Sequence, residues 1–131
     1  MTDVQLKQEE IVRLAERSGS IDKPCACATR TIPGWESVPI TFPEELLDCL
    51  GRVSPPSEEL TVKEYHPRGT NYWSSDAPIA LNYFPANHSE IWQCRVCARC
   101  FLRYTEFGGY YVDKRIRSLR PEMLTLAELS E

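Results

Sequence analysis

Six cysteines carry the clearest chemical signal in this sequence, and four of them form two closely spaced pairs. Cys94 and Cys97 form a CxxC pair, a spacing at which a tight turn brings two thiolates to one metal ion. Cys25 and Cys27 form a CxC pair, and side chains two residues apart point the same way where the chain is extended. A tetrahedral site needs four ligands, so we predict one metal site made by both pairs.

Two further residues are alternatives within that site. Cys100 extends the second pair to CxxCxxC, and His88 lies shortly before Cys94, so either could replace one cysteine as a ligand. CxxCxxC also resembles the opening of the bacterial ferredoxin run, although Tyr104 and Thr105 stand where that run has its last cysteine and its proline. Zinc is the predicted ion and an iron–sulfur cluster is the alternative. A reactive thiol at Cys100 would make a redox protein instead.

The composition is that of one folded soluble domain spanning residues 1–131. The chain has 131 residues, of which 42% are hydrophobic and 26% are charged. Because the sequence has no signal-peptide pattern and no long apolar run, we expect a cytoplasmic protein that does not enter a membrane. Cysteines in that compartment are more often metal ligands or buried thiols than disulfides, although three disulfides remain an alternative.

Two helices are predicted in the first half of the chain. The first occupies residues 1–18, with Thr2 or Asp3 as its cap and Ile11 and Ala15 on its apolar face. The second occupies residues 42–50, because the preceding Thr41 forms a capping box with Glu44, Pro43 lies in the first turn and Gly51 supplies the stop. Cys49 would then be a small core residue on the second helix.

The second half of the chain reads as strands. Segments 60–66, 79–84 and 89–94 have strand composition, and Gly108-Gly109 is a favoured hairpin turn. A two-residue loop would pair Phe107 with Tyr110. The predicted fold is therefore α+β, with the two helices packed on an antiparallel sheet and a zinc-stapled hairpin at residues 94–118. The predicted core face of the hairpin holds Phe101, Phe107, Tyr110, Val112 and Ile116, and the predicted wet face holds Leu102, Tyr104, Glu106, Tyr111, Asp113, Arg115 and Arg117.

The knuckle at Cys94 followed by a hairpin is similar to a zinc ribbon. The resemblance covers residues 94–118 and the CxC at residues 25–27, about a quarter of the chain. It departs from that family because the first pair is CxC, neither pair is followed by glycine, and Cys100 crowds the second pair. The resemblance implies a metal and a hairpin, but no particular activity, since zinc ribbons bind nucleic acids, dock proteins or serve only as structural staples.

Two surfaces are candidates for binding a partner. The loop at residues 65–78 gathers the residue types that dominate protein interfaces. The hairpin is basic: residues 94–120 hold 7 Lys or Arg and 2 acids, a balance of +5, which leaves −9 of the net charge of −4 for the remaining residues. This charge indicates either a surface for nucleic acid or an acidic partner, or arginines that offset the negative charge of metal-bound thiolates, and we favour the second interpretation because the whole chain is acidic. The predicted protein-binding residues are His66, Arg68, Tyr72, Trp73 and Asp76, and those of the nucleic-acid alternative are Arg103, Tyr104, Tyr111, Lys114, Arg115 and Arg117.

The predicted function is that of a small, non-enzymatic, zinc-binding interaction module. Four cysteines close a zinc site, so the metal would be structural, and the sequence contains no HExxH, GxSxG or P-loop motif. We expect the partner to be another protein, as for an inhibitor, an immunity protein or an adaptor. A nucleic-acid-binding regulator and an iron–sulfur or thiol redox protein are the alternatives.

Overall fold

A computed structural model describes residues 4–55 and 59–128 of the chain. In this part of the chain one α-helix is followed by short strands and irregular segments. The helix is α1 (Gln8–Gly19), and the strands are β1 (Glu36–Ser37), β2 (Leu47–Arg52), β3 (Ile79–Ala80), β4 (Glu90–Cys94), β5 (Cys100–Phe107), β6 (Val112–Ser118) and β7 (Leu124–Thr125).

The strands form a five-stranded antiparallel sheet in the order β1-β6-β5-β4-β2, with β3 and β7 paired in parallel beside it. The sheet turns through tight connections from β4 to β5 and from β5 to β6, so its three central strands are consecutive in sequence. One helix with an antiparallel sheet confirms the predicted α+β class.

Each face of the sheet packs against a separate cluster of buried residues. Alternate residues of β5 point to opposite faces. Leu102 and Tyr104 pack with α1 through Ile11 and Ala15, and we call this side the helix face. On the other side, Phe101 packs with an irregular loop, residues 21–46, and with the paired cysteines. We call this side the cysteine face.

Helix α1 begins later than predicted. Ile11 and Ala15 are buried as predicted, but the helix starts at Gln8 with Lys7 as its N-cap, and the predicted caps Thr2 and Asp3 lie outside the described residues. The preceding segment is instead held at the end of β2, where the Arg52 amide donates to the Val4 carbonyl at 2.7 Å. The helix therefore starts only after the residues that pair with the edge of the sheet.

The predicted helix at residues 42–50 was wrong. Glu44–Leu46 forms one 3₁₀ turn, and the chain then continues as β2, which is hydrogen-bonded to β4. The predicted capping box of Thr41 and Glu44 does not form, because Pro43 is the N-cap of this turn and no side chain caps it. Pairing with β4 outweighs the helical preference of the residues that follow. Gly51 is not a helix stop but a residue of β2. An added side-chain carbon there would lie 2.9 Å from the Val4 carbonyl oxygen, so the close approach of the N-terminal segment favours glycine.

The other predicted strands had mixed outcomes. Strand β4 confirms the segment 89–94, whereas only Ile79–Ala80 of the segment 79–84 is a strand. The segment 60–66 forms no strand. Turns and the last described residues pack beside this segment. There the Tyr83 hydroxyl donates to the Glu128 carbonyl at 2.8 Å.

The hairpin of β5 and β6 has a four-residue loop rather than the predicted two-residue loop. Phe107 pairs with Val112, and the Gly108 amide donates to the Tyr111 carbonyl at 2.9 Å. An added side-chain carbon at Gly108 would meet the ring of the exposed Tyr111, so that ring would have to move. The register therefore differs from the prediction by two residues, which leaves each residue on its predicted face.

The predicted burial of the hairpin was wrong in two places. The hairpin projects beyond the body, so three residues of the predicted core face are exposed at its tip. Nearer its base both faces are covered, so three residues of the predicted wet face are buried. The exposed residues are Phe107, Tyr110 and Val112, and the buried ones are Leu102, Tyr104 and Arg117.

Candidate metal centre

The structure brings the two cysteine pairs together on the cysteine face. The sulfur atoms of Cys25, Cys27, Cys94 and Cys97 all lie within 4.8 Å of one another. The Cys25 and Cys94 sulfurs are 3.7 Å apart, and those of Cys27 and Cys97 are 3.4 Å apart. In the described part of the chain, no other group of His, Cys, Asp or Glu side chains is arranged to hold a metal ion. Four sulfur donors at these separations could hold one.

The second pair lies on the tight turn between β4 and β5. Cys94 ends β4, and its amide donates to the Arg99 carbonyl at 2.8 Å, which closes the turn. Backbone amides of the turn point at the sulfurs: those of Val96 and Cys97 donate to Cys94, and that of Arg99 donates to Cys97. Amide donors stabilise thiolates, so the turn is shaped to hold two deprotonated cysteines.

Ala98 completes this turn with a left-handed backbone. Its φ is +74°, and its amide donates to the Cys94 carbonyl at 2.9 Å. Residues with a side chain adopt this conformation at a cost, which glycine avoids. The glycine that the sequence lacks after the CxxC is therefore replaced by a strained alanine, and the turn keeps its geometry.

The sequence suggested that the chain is extended at the first pair, but the structure shows that it is only partly so. Cys25 has an extended backbone, but a 3₁₀ turn, Ala26–Ala28, follows it, and the Ala28 amide donates to the Cys25 carbonyl at 2.9 Å. The turn folds Cys27 back so that both sulfurs face the β4–β5 turn. Ile32, further along the loop, is buried beside them, and its carbonyl accepts from the Ser118 amide at 3.0 Å.

Cys27, Cys94 and Cys97 ionise differently from one another in the absence of a metal. Burial raises the pKa of Cys27 and that of Cys94. Burial acts in the same direction on Cys97, but hydrogen bonds from the Arg99 amide and from the Cys27 thiol outweigh it and lower its pKa to about 7. Cys97 therefore becomes a thiolate before Cys27 and Cys94 do.

Arg99 is a functional residue that the motif analysis missed. Its guanidinium hydrogen-bonds to Cys97, which raises the arginine pKa despite the opposing effect of burial. Its Nη2 donates to the Ile21 carbonyl at 3.4 Å, and its Nη1 is buried with no hydrogen-bond partner. A metal bound by four thiolates carries net negative charge, so a partly buried cation beside it lowers the cost of burying the site. A basic residue two positions after the CxxC was the available signal.

The remaining thiols and the candidate histidine are not part of this group. Cys100 lies on the helix face because it is one residue out of phase with Phe101, and its sulfur is 3.7 Å from the Ala98 carbonyl oxygen. Burial raises its pKa to about 11. Cys49 is half-buried in β2, and the ring of His88 contacts Asn87 and Phe84.

The loop at residues 65–78 is partly exposed. Trp73 is 55% exposed, while Tyr72 is half-buried between Trp73 and Trp35. The Tyr72 hydroxyl hydrogen-bonds to that of Tyr104 and accepts from Arg115 at 3.2 Å.

The other residues of the loop lie around this aromatic pair. His66 is held between Glu64 and Thr70 at 2.7 Å from each, contacts that the sequence analysis missed. Arg68 and Asp76 are exposed.

The residues of the basic hairpin do not form one continuous basic surface. Arg117 is only 1% exposed, and it donates to the carbonyls of Pro33 and Ala77. Burial lowers its pKa to about 10. The remaining members of the set divide into buried, paired and exposed residues. Tyr104 is buried, Arg103 is ion-paired with Glu44 and Arg115 with Asp113, and Lys114 and Tyr111 are exposed.

No protein-family model, no curated protein and no solved structure matches the chain. In residues 4–55 and 59–128, no helix has both the length and the apolar character that crossing a membrane requires.

Proposed function

We propose that this chain is a zinc-stapled, non-enzymatic module that binds another protein in the cytoplasm, as inhibitors, immunity proteins and adaptors do. The observation that carries the proposal is the grouping of four cysteine sulfurs from two distant segments within 4.8 Å of one another. Cys25, Cys27, Cys94 and Cys97 would be the ligands.

The separations of the sulfurs favour one tetrahedral ion over a cluster. Zinc–sulfur bonds of about 2.3 Å place the sulfurs of a regular tetrahedron about 3.8 Å apart. The sulfurs of Cys25 and Cys94 are 3.7 Å apart and those of Cys27 and Cys97 are 3.4 Å apart, which is close to that value. An iron–sulfur cluster distributes its cysteines over several irons and so needs them further apart. Cys100, the extra cysteine in the ferredoxin-like pattern, lies on the other face of the sheet.

The role that suits such a site is structural. Four protein ligands fill a tetrahedral coordination shell, which leaves no position for a substrate or a reactive water. Zinc would supply a cross-link between the loop at residues 21–46 and the β4–β5 turn, and its binding free energy would become part of the folding free energy. The site is enclosed by apolar groups, including Ile32, Leu47 and Phe101.

The partner surface that we propose centres on Trp73. Its exposed indole is braced by Tyr72 and lies 5.1 Å from the Arg115 guanidinium. Exposed tryptophan with arginine nearby is typical of the residues that dominate binding energy at protein interfaces. Arg68 and Asp76 are exposed in the same loop and could set the specificity of the interaction.

No observation favours the alternatives. A reactive thiol at Cys100 would need a low pKa and access to solvent, whereas this thiol is buried and its pKa is raised to about 11. A nucleic-acid surface on the hairpin would rest on Lys114 and Tyr111, because the other members of the predicted set are buried or ion-paired.

Elemental analysis with native mass spectrometry tests the metal. The protein would be purified anaerobically without added metal, and we expect one zinc per chain. Cys94→Ser should lose the zinc, whereas Cys49→Ser, which changes a half-buried cysteine outside the site, should retain it. Iron with labile sulfide, or full zinc occupancy in Cys94→Ser, would refute the assigned site.

Affinity capture tests the interaction surface. The wild-type chain should recover one specific partner, and Trp73→Ala should lose that partner while its zinc content and its circular dichroism stay unchanged. Val62→Ala is a matched control, since Val62 is another exposed apolar residue outside residues 65–78. Undiminished capture by Trp73→Ala would remove this residue as the anchor.

A further inference from the structure

The cysteine face is covered only at one end. The loop at residues 21–46 covers the end near the cysteines, but beyond Trp92 the face is open and forms a groove of about 480 Å³. At its far end Phe107 is 76% exposed, and Val112, its partner on β6, is also exposed. The residues that matter for the argument are Arg52, Trp92, Arg103, Thr105, Phe107 and Lys114.

One side of this groove is an unpaired strand edge. Strand β4 begins at Glu90, which pairs with Arg103, so the last residues of β5 have no β4 residue opposite them. The Cys100 carbonyl accepts from the Leu119 amide and the Gly108 amide donates to the Tyr111 carbonyl, so the even-numbered residues of β5 direct backbone groups toward β6. Successive residues alternate in direction, so the backbone amides and carbonyls of Thr105 and Phe107 point to the open side. Unpaired groups of this kind are a template for another strand.

The groove has a positive balance on an acidic molecule. Its lining includes three cations, Arg52, Arg103 and Lys114, and one carboxylate, Glu90, on a chain with a net charge of −4. In the described residues the Arg52 guanidinium has no ion pair. Lys114 is 64% exposed and only loosely paired with Glu44, at 3.8 Å.

The remaining charges of the groove are held in place. Arg103 pairs with Glu44 and stacks 4.7 Å from the ring centre of Trp92. Glu90 accepts from the Trp92 indole at 3.3 Å. Arg52 and Lys114 are therefore the cations that remain available to a ligand.

We propose that the edge of β5 at Thr105–Phe107 binds an extended acidic segment of a partner protein, which adds to the sheet as a strand. A residue opposite Thr105 would exchange both backbone hydrogen bonds with it and would direct its side chain to the cysteine face. Acidic residues at alternate positions would therefore lie near Arg52 and Lys114. The intervening side chains would point to the helix face beside Tyr104 and Phe84, where apolar residues fit.

This inference rests on the proposed role as an interaction module, and it adds a second surface whose partner chemistry is defined. Main-chain hydrogen bonds supply affinity in this mode of recognition, and alternate side chains supply specificity. The groove is distinct from the loop that carries Trp73, so the two surfaces can be tested separately.

Fluorescence anisotropy with synthetic probes tests the proposal on the full, zinc-loaded chain. The probe is a fluorescein-labelled octapeptide of alternating Glu and Val, and the control probe has Lys in place of Glu. We expect saturable binding of the Glu probe only. The double variant Arg52→Glu, Lys114→Glu should weaken it at least about tenfold, because the cations that meet the carboxylates are reversed. Val62→Ala, an exposed apolar residue that does not line the groove, should leave the affinity unchanged.

Methylated probes test the strand geometry without changing the protein. N-methylation of the Glu amides should abolish binding, because those amides face the β5 edge, whereas N-methylation of the Val amides should be tolerated. Absent binding, equal binding of the Lys probe, or equal effects of the two methylations would overturn the proposal. Stronger binding of a twelve-residue oligothymidylate that displaces the Glu probe would overturn it in favour of nucleic acid.

Zinc content measured on the same sample separates this inference from the proposed function. One zinc per chain without probe binding would refute only the strand-addition site. Substoichiometric zinc would refute the metal assignment instead.

Discussion

The two faces of the sheet are covered in different ways. On the helix face, the twelve residues of α1 and a set of aromatic side chains pack on Leu102 and Ile91. On the cysteine face, the cover is an irregular loop whose regular structure in residues 21–46 is limited to β1 and two 3₁₀ turns. A helix satisfies its own backbone hydrogen bonds and can be held by one apolar stripe, whereas an irregular loop needs a tether to remain ordered. The four cysteines lie where that tether is needed.

Removing one of the four cysteines should have the largest effect on the difference in stability between the two faces. Cys97→Ser should release the loop, because the proposed metal cross-link supplies binding free energy on the order of 10 kcal/mol in comparable small zinc sites. Hydrogen exchange should rise first and most at residues 25–46, while the amides of α1 keep more of their protection. Cys49→Ser serves as the control. Equal loss of protection on both faces would show that the metal does not hold the loop in particular.

Truncating the helix face should destabilise the whole domain without releasing zinc. Ile11 is fully buried against the sheet, so Ile11→Ala should lower the free energy of unfolding by about 3 kcal/mol. Urea denaturation measures this loss, and elemental analysis should still find the metal. The exposed Val96→Ala, on the β4–β5 turn, should change the stability by less than about 0.5 kcal/mol. Zinc loss in Ile11→Ala at low urea would contradict the separation of the two faces.

The dependence of stability on pH tests the helix face separately, because Cys100, which is outside the group of four cysteines, lies on that face. Its pKa is raised from an ordinary value of 9.0 to about 11 by burial, so folding favours the neutral thiol. The stabilising effect is complete below pH 9.0 and is lost as the pH rises through about 11. The stability difference between wild type and Cys100→Ala should therefore fall by about 2 kcal/mol between pH 8.5 and pH 10.5. A difference independent of pH would show that Cys100 ionises freely in the folded protein.

The smallest effect is expected at the β4–β5 turn. Ala98→Gly should relieve the left-handed alanine, a strain of about 1 kcal/mol, and part of this gain is offset by the greater flexibility of glycine in the unfolded chain. Thermal unfolding of the zinc-loaded protein should show a small rise in the midpoint. Ala26→Gly, in the 3₁₀ turn beside the other cysteine pair, should lower it. A lower midpoint in Ala98→Gly would mean that the alanine side chain makes a contact worth more than the strain.

The sequence predicted well those features that depend on residues close together along the chain. The CxxC spacing and the flanking strand composition placed Cys94 and Cys97 on a turn after β4, and the structure has that turn. The first pair was reached by a different argument, namely that a tetrahedral site needs two more ligands. Neither argument predicted Arg99, since its contact with Cys97 depends on how the turn folds.

Errors arose where distant segments decide the local structure. The predicted capping box before residue 47 does not form, and the chain makes a single 3₁₀ turn there because β4 offers a pairing partner for Leu47–Arg52. The two glycines predicted the position of the hairpin turn but not its length, because the first strand pair is Phe107 with Val112 and the Gly108 amide bonds to the Tyr111 carbonyl. Burial of the hairpin could not be read from alternation, because its base is covered on both faces and its tip on neither.

The distance along the chain between the two cysteine pairs has a consequence during synthesis. Cys25 and Cys94 are 69 residues apart. At translation rates of about 5–20 residues per second, the first pair waits roughly 3–14 seconds before the second pair has even been made. During that interval the nascent chain presents a free dithiol that no partner within the chain can occupy. If the site binds zinc as we propose, competition from cellular metal carriers and oxidants is greatest before the domain exists, and the yield of zinc-loaded protein should depend on translation speed as well as on zinc supply.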